Sequence, residues 1–238
     1  MTEMPPLAIL AGGLATRLKP LTEQVPKSMI EVGGQPFIAH QLRLLQRERI
    51  NRVVLCLGHL GEQIETFVGD GGQFGVSVAY CYDGSSLLGT GGALRLALGQ
   101  LGAEFLVMYG DSWLDTRFAP VVDAFRASGK SALMTVYRNS DRWDRSNIWF
   151  ENGQIRVYDK KNRLPQMHYI DWGLSMTKAD VIAARPAHTA FDLAEVYGKL
   201  AQNGDLGGYE IATRFYEIGS PAGLRETDLL LRNKVSSA

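Results

Sequence analysis

Three observations predict an α/β fold with a Rossmann-like mixed, mostly parallel sheet flanked by helices. Apolar runs of strand length recur through the first half of the chain: Leu7 to Ala11, Arg52 to Leu57, Val76 to Tyr82 and Glu104 to Tyr109. The segments between them carry apolar residues at helical spacing, and strand and helix in alternation imply parallel strands joined by crossover helices. Beyond about residue 130 the pattern turns β-rich.

The chain has 238 residues, enough for one large domain with a substantial core. Lys+Arg and Asp+Glu both number 25, so it lacks the basic excess of general nucleic-acid or membrane-surface binders. Cys56 and Cys81 lie in apolar runs without metal-ligand spacing, and no leader-like or membrane-length apolar segment occurs. These features predict a reduced, cytoplasmic location and a single catalytic domain. No fixed-period repeat is present.

The first run, Leu7 to Ala11, is too short for a helix and suits a fully buried strand. It breaks into Gly12-Gly13, followed by Thr16, Arg17, Lys19 and Lys27. Glycines let backbone N–H groups approach an anion, and the cations surround it, so this stretch predicts a polyphosphate cradle. It is not a P-loop, because Arg17 and Leu18 stand where the second glycine would be needed. Nor does Gly89-Thr90-Gly91-Gly92-Ala93-Leu94 complete the dinucleotide fingerprint.

Gln35-Pro36 opens a helix in which Phe37, Ile38, Leu42, Leu44, Leu45 and Ile50 recur at helical spacing. Strand 52 to 57 turns through Gly58 into a short helix around Glu62 to Val68, and strand 76 to 82 follows. The glycine-rich Leu88 to Leu94 then leads into a helix, offering a second set of amides on the same side of the sheet. Strand 104 to 109 ends in Gly110-Asp111-Ser112, which puts the Asp111 carboxylate in the crevice where open parallel sheets bind ligands. There it suits Mg²⁺ beside a triphosphate, although an Asp at a strand end also serves as a turn or cap residue.

Ser131 to Arg138 predicts another strand, and Asn147 to Phe150 with Gln154 to Asp159 a hairpin turning at Asn152-Gly153. Tyr169 to Leu174 is a further strand, in which Gly173 could mark a bulge. An amphipathic helix runs from Pro221 to about Arg232. His40, His59, His168 and His188 have no ligand-like spacing.

Gly12-Gly13 followed by Thr16 to Thr22 (TRLKPLT) and Pro26-Lys27-Ser28-Met29 resembles the signature of the sugar-nucleotidyltransferase family, enzymes that join a sugar 1-phosphate to a nucleoside triphosphate. The resemblance implies a glycosyltransferase-A-like fold, with residues up to about 130 as the nucleotide half and 131 to 238 as the sugar-phosphate half. It implies that Leu10, Ala11, Gly12, Gly13, Thr16, Gly89, Thr90 and Gly91 contact the nucleotide. Arg17 would clamp the departing phosphates, Lys27 would meet the α-phosphate, and Asp111 would hold Mg²⁺. Asp159-Lys160 stands where the family has Glu-Lys, the lysine meeting the sugar phosphate. Asp171 and Gly173 match an Asn-x-Gly that touches the sugar, with Asp in place of Asn.

Two further departures stand out. Ala15 replaces a usual glycine, which predicts a slightly reshaped loop, because Ala favours φ below zero. Glu217, in Glu217-Ile218-Gly219-Ser220-Pro221, replaces the second metal-binding Asp. Three arrangements are open for it: direct metal contact with a shifted backbone, contact through water, or loss of the role.

Asp83, ahead of the glycine loop, could read guanine, which presents two adjacent donors to a carboxylate. The turn Gly84-Ser85-Ser86 explains that residue nearly as well. The combined motifs resemble the D-glycero-D-manno-heptose 1-phosphate guanylyltransferase branch, implying GTP, GDP-heptose and surface polysaccharide synthesis. Alternatives are mannose 1-phosphate guanylyl transfer, N-acetylmuramate or hexose 1-phosphate uridylyl transfer, and, outside catalysis, a nucleotide-sugar sensor.

Overall fold

The computed structural model describes residues 3–84 and 86–235, so Ser85 of the 84–86 turn lies outside the described residues. In chain order the strands and helices are β1 (Leu7–Leu10), β2 (Glu31–Val32), β3 (Gln35–Pro36), α1 (Phe37–Arg47), β4 (Arg52–Leu57), α2 (Gly61–Val68), β5 (Ser77–Tyr82), α3 (Gly89–Leu101), β6 (Glu104–Tyr109) and β7 (Ser112–Trp113). The second half continues with α4 (Ala119–Ser128), β8 (Ala132–Arg138), β9 (Ile148–Glu151), β10 (Gln154–Tyr158), β11 (Tyr169–Lys178), α5 (Ala179–Ala183), α6 (Leu193–Gln202), β12 (Leu206–Glu210), β13 (Tyr216–Glu217) and α7 (Pro221–Val235).

Nine strands form one sheet in the order β5-β4-β1-β6-β11-β8-β12-β10-β9. The first four are mutually parallel, as the alternation of strand and helix predicts. β11 enters antiparallel to both β6 and β8, and the β9–β10 hairpin closes the far edge. That hairpin turns on Asn152 (φ 51) and Gly153 (φ 73), the left-handed pair a tight hairpin turn requires.

Both faces of the sheet are buried, and strict alternation in the strands divides the side chains between them. Leu7, Ile9, Val53, Leu55, Leu57, Leu106 and Met108 point into one core, shared with Phe37, Ile38 and Leu42 of α1 and Val121, Val122 and Phe125 of α4. Ala8, Val54, Cys56, Phe105 and Val107 point into the other, against Leu94, Ala97 and Leu101 of α3 and Leu193, Val196 and Tyr197 of α6. Each fully buried large side chain contributes about 1.5–3 kcal/mol by leaving water, which keeps the strand ends carrying the site in fixed positions.

The sequence patterning singles out no element between 113 and 130 or between 178 and 215, where the structure has α4, α5, α6 and β12. β12 reads LGGYE, and glycines at its centre hide it from strand propensity. Gly208 stays bare because a Cβ there would fall 2.5 Å from the Phe150 ring. α1 ends at Arg47 rather than near Ile50, since Arg49 takes a left-handed φ of 62.

Candidate active site

The parallel strands β1, β4, β5 and β6 end on one side of the sheet, and the loops that follow them enclose a cavity of about 250 Å³. Leu10, Ala11, Gly12 and Gly13 from the first loop line it, together with Lys27, Asp83, Gly89, Thr90 and Asp111. Leu10, Ala11, Cys56, Leu87 and Ala93 make part of its wall apolar, which suits a flat base. Burial pushes the Asp83 carboxyl above the ordinary carboxylate range, partly offset by the Leu88 N–H that donates to Oδ2 at 3.2 Å.

Thr16 and Arg17 open a single 3-10 turn, Thr16–Leu18, beside the cavity. Ala15 precedes it at φ 50, ψ 41. Alanine here does not take the φ below zero that it favours but adopts the left-handed conformation. The Ala15 carbonyl accepts from Leu18 N and Thr22 Oγ1, both at 3.0 Å, and these bonds hold a conformation that disfavours a Cβ by about 1–2 kcal/mol.

Four charged groups meet where the loops converge. Lys27 Nζ lies 2.7 Å from Asp111 Oδ2. Next to Lys27, Ser28 Oγ donates to the Gly110 carbonyl at 3.0 Å, while Gln41 Nε2 donates to the carbonyls of Tyr109 and Ser112 and so fixes the end of β6. Glu217 arrives on the β13–β7 ladder opposite Ser112, and Ile218 N–H donates to the Asp111 carbonyl at 2.9 Å. A single point, where Gly219 would carry a Cβ, lies 2.8 Å from Glu217 Oε2, 3.0 Å from Asp111 Oδ2 and 3.3 Å from Arg17 Nη2.

Two carboxylates and a guanidinium thus share a few ångströms. Among the described residues no set of three or more His, Cys, Asp or Glu could hold a metal ion. Asp111 and Glu217 nevertheless fit Mg²⁺, a hard ion typically bound by one or two carboxylates with phosphates and water supplying the rest.

A second cavity of about 590 Å³ opens beyond this point, lined by Arg17, Asp111 and Glu217 on one side and Tyr158, Lys160, Asp171, Gly173 and Arg214 on the other. Asp171 Oδ2 accepts from Tyr109 OH at 3.1 Å and Oδ1 from Gly173 N–H at 2.9 Å. Burial raises its carboxyl above the ordinary range, against the Gly173 amide, Lys160 and Tyr109, which pull it down. Gly173 has φ 105, within the stretch of β11 where the pairing with β8 slips between Asp171 and Ser175.

Asp159 turns away, accepting from the amides of Lys161 and Asn162 and from Asn162 Nδ2. Gly91 also faces elsewhere: its N–H donates to the Phe191 carbonyl at 3.0 Å, and a Cβ on it would fall 2.2 Å from the Phe191 ring. This glycine admits the segment before α6, which brings in a residue that motif reading missed. Asp192 caps α6 through Ala194 N–H, accepts from Thr90 Oγ1 at 2.9 Å, and faces Lys160 Nζ at 3.9 Å. Burial would raise its carboxyl, yet the Ala194 amide, Lys160 and Thr90 hold it below the ordinary range. An Asp ahead of Leu193, Val196, Tyr197 and Ala201 is a helix-start pattern the sequence does contain, although nothing local ties it to Thr90 or Lys160.

Residues 7–166, more than half the chain, match the family described as nucleotidyl transferase. The chain belongs to the nucleotidyl transferase family. Within and around that family, the chain is 28% identical over 222 residues to the mannose-1-phosphate guanylyltransferase catalytic subunit beta of Xenopus tropicalis, covering 90% of this chain and 61% of that protein. It is 39% identical over 111 residues to the N-acetylmuramate alpha-1-phosphate uridylyltransferase of Neisseria meningitidis serogroup B, covering 46% of this chain and 48% of that protein. The chain therefore spans about half to three-fifths of the length of these curated relatives. A solved structure assigned as a glucose-1-phosphate thymidylyltransferase from Bacillus anthracis, in complex with a sucrose, has a TM-score of 0.83 at 24% identity, over 97% of this chain and 96% of that one. Nucleotidyl transferase architecture, a mixed sheet flanked by helices, is thus shared along nearly the whole chain.

Proposed function

We propose that this chain transfers a nucleoside monophosphate from a nucleoside triphosphate to a sugar 1-phosphate, releasing pyrophosphate. The observation that carries the reading is the meeting of Arg17, Lys27, Asp111 and Glu217 between two cavities, one under the glycine loops and one beside Lys160 and Asp171. The reaction joins two polyanions, so its main requirement is positioning and neutralisation of charge.

The sugar phosphate is already an anion and needs no general base. Lys160 orients it, and Lys27 draws the α-phosphate towards it. Arg17 forks onto the departing phosphates, since a planar guanidinium pairs with two phosphate oxygens at once. Asp111 and Glu217 are the residues that would hold Mg²⁺, and the ion would supply charge neutralisation on the phosphate oxygens. The sugar, in the 131 to 238 half, rests against Asp171 and Gly173.

The preferred pair is GTP with D-glycero-D-manno-heptose 1-phosphate, giving GDP-heptose for surface polysaccharide, made in the cytoplasm. Asp83 in the first cavity supports guanine, whose N1–H and N2–H₂ donors match a carboxylate. The 39% identity to an N-acetylmuramate alpha-1-phosphate uridylyltransferase over about half the chain favours a second reading, UTP with an aminosugar phosphate. Among the described residues no helix is long and apolar enough to cross a membrane.

The test is pyrophosphate release with Mg²⁺, crossing GTP, UTP, CTP, ATP and dTTP against heptose, mannose, glucose and N-acetylmuramate 1-phosphates. Turnover restricted to GTP and the heptose phosphate is the expected result, and turnover restricted to UTP replaces the base assignment. Nucleotide binding without turnover on any pair overturns catalysis in favour of a sensor.

A further inference from the structure

Gly223 is the third residue of α7, is buried, and does not have a left-handed φ. At such a helical position alanine is the stronger helix former, so a bare Cα there calls for a local reason. Glu217 supplies it. A Cβ on Gly223 would stand 1.8 Å from Glu217 Oε1, 2.5 Å from its Cδ and 2.7 Å from its carbonyl oxygen. The carboxylate of Glu217 therefore occupies the space a side chain at 223 would fill.

The surrounding bonds fix that posture. Ser220 Oγ donates to Glu217 Oε1 at 2.6 Å and accepts from Gly223 N–H at 3.0 Å, and the Gly219 N–H donates to Oε2. One turn along α7, Thr227 Oγ1 donates to the Glu217 carbonyl at 2.8 Å. Glu is one methylene longer than Asp, and a longer carboxylate pointing straight across the cleft would overshoot the point it shares with Asp111 and Arg17.

We infer that Gly223 is a positioning residue: its bare Cα is the berth that takes up the extra length of Glu217, so that the carboxylate ends beside Asp111 and Arg17. The inference rests on the proposed role of Glu217 as the second metal-binding carboxylate.

Four variants test it: Gly223→Ala, Glu217→Asp, their combination, and Glu217→Gln. Each is read by melting temperature in EDTA without substrate, and by kcat and KM for pyrophosphate release. Gly223→Ala is expected to melt about 5 °C lower, the scale of an overpacked site in a chain of this size, despite the better helix former. It is expected to lose at least about tenfold in kcat with the nucleotide KM within about threefold, since the loss falls on an interaction made in the transition state.

In the combined variant the carboxylate whose Oε1 and Cδ stand 1.8 Å and 2.5 Å from a Cβ at 223 is one methylene shorter and is expected to withdraw from it, while the 2.7 Å approach to the Glu217 carbonyl oxygen remains. Both melting temperature and kcat should then recover in part. Glu217→Gln keeps the length and shape of the side chain while one oxygen becomes an NH2 that cannot accept from Ser220 or Gly219, and it should lose at least about tenfold in kcat, because the berth positions a charge.

A wild-type melting temperature and kcat in Gly223→Ala, or a combined variant melting no higher than Gly223→Ala, overturns the berth. Wild-type kcat in Glu217→Gln overturns its purpose. A wild type that releases no pyrophosphate from any pair overturns the proposed function instead, and the melting temperatures still decide the berth.

Discussion

Lys27 Nζ stands 2.7 Å from Asp111 Oδ2, tying the loop after β1 to the loop after β6 at the place where the two cavities meet. Both side chains keep about a fifth to a quarter of their surface exposed, at 21% and 24%, so they are held yet reachable by substrate. The ammonium and the carboxylate restrain one another before any phosphate arrives, which lowers the entropy lost when the reacting groups are brought together.

Lys27→Ala and Asp111→Asn are each expected to retain the fold and to lose at least about a hundredfold in turnover, the scale for one preorganised charge-stabilising group. Steady-state pyrophosphate release alongside circular dichroism checks this. Near-wild-type turnover in either variant would remove that residue from the proposed chemistry.

Asp83 titrates above the ordinary carboxylate range because it is partly buried. A carboxyl accepts from both adjacent guanine donors only when ionised, so GTP binding should weaken as pH falls through that elevated value, earlier than for an exposed Asp. Calorimetric titration of GTP from neutral pH down towards about 3.9, the ordinary Asp value, measures the slope. In Asp83→Asn the slope should fall to that of the triphosphate's own ionisation, which UTP shares, and the preference for GTP over UTP should fall by about tenfold or more. An unchanged preference would exclude Asp83 as the base reader.

Asp171 is also raised by burial, and here the consequence falls on stability. A carboxyl whose folded pKa lies above its unfolded one favours the fold when protonated, and that contribution is lost as pH rises through the folded value. At neutral pH the wild type has lost that contribution, whereas Asp171→Asn has no carboxyl to ionise. The variant should therefore melt about 2–4 °C higher at about pH 7, with the gap closing as pH falls below about 3.9, the ordinary Asp value, where folded and unfolded states are both protonated. A constant gap at both pH values would mean that the effect is packing and not ionisation.

Asp192 links Thr90 in the first cavity to Lys160 in the second. Asp192→Asn can still accept from Thr90 Oγ1 and Ala194 N–H but offers Lys160 no charge. The sugar-phosphate KM should change by about two- to fivefold, the scale of an exposed ion pair, with the nucleotide KM unaltered. Asp192→Ala should disturb both KM values. Equal changes in both variants would reduce Asp192 to a helix cap.

Much of this architecture can be read from residue order, because local chemistry dictates it. The run Leu7 to Leu10 followed by glycines and cations sets a buried strand opening on an anion site, and Asn152-Gly153 sets a hairpin through its two positive φ values. Family resemblance pointed to Arg17, Lys27 and Asp111 and left the role of Glu217 open, and the four side chains lie together. β12 and the segment before α6 were not legible, since a glycine-centred strand and an irregular run of chain acquire their form from neighbours distant in sequence.

Sequence by itself therefore determined the alternation of β1, α1, β4, α2, β5, α3 and β6, the parallel half of the sheet that follows from it, and the glycines, cations and carboxylate at its strand ends, all consequences of periodicity and turn chemistry. Tertiary structure decided what two of the glycines are for. Gly91 is bare for the Phe191 ring, and Gly223 for the carboxylate of Glu217. It also decided that Asp192 joins Thr90 to Lys160 across more than a hundred residues of chain in one case and about thirty in the other. The physical reason is that a missing side chain or a capping carboxylate has no pattern of its own in the sequence. Its role is defined by the atoms that fill the adjoining space, and only folding brings those atoms there.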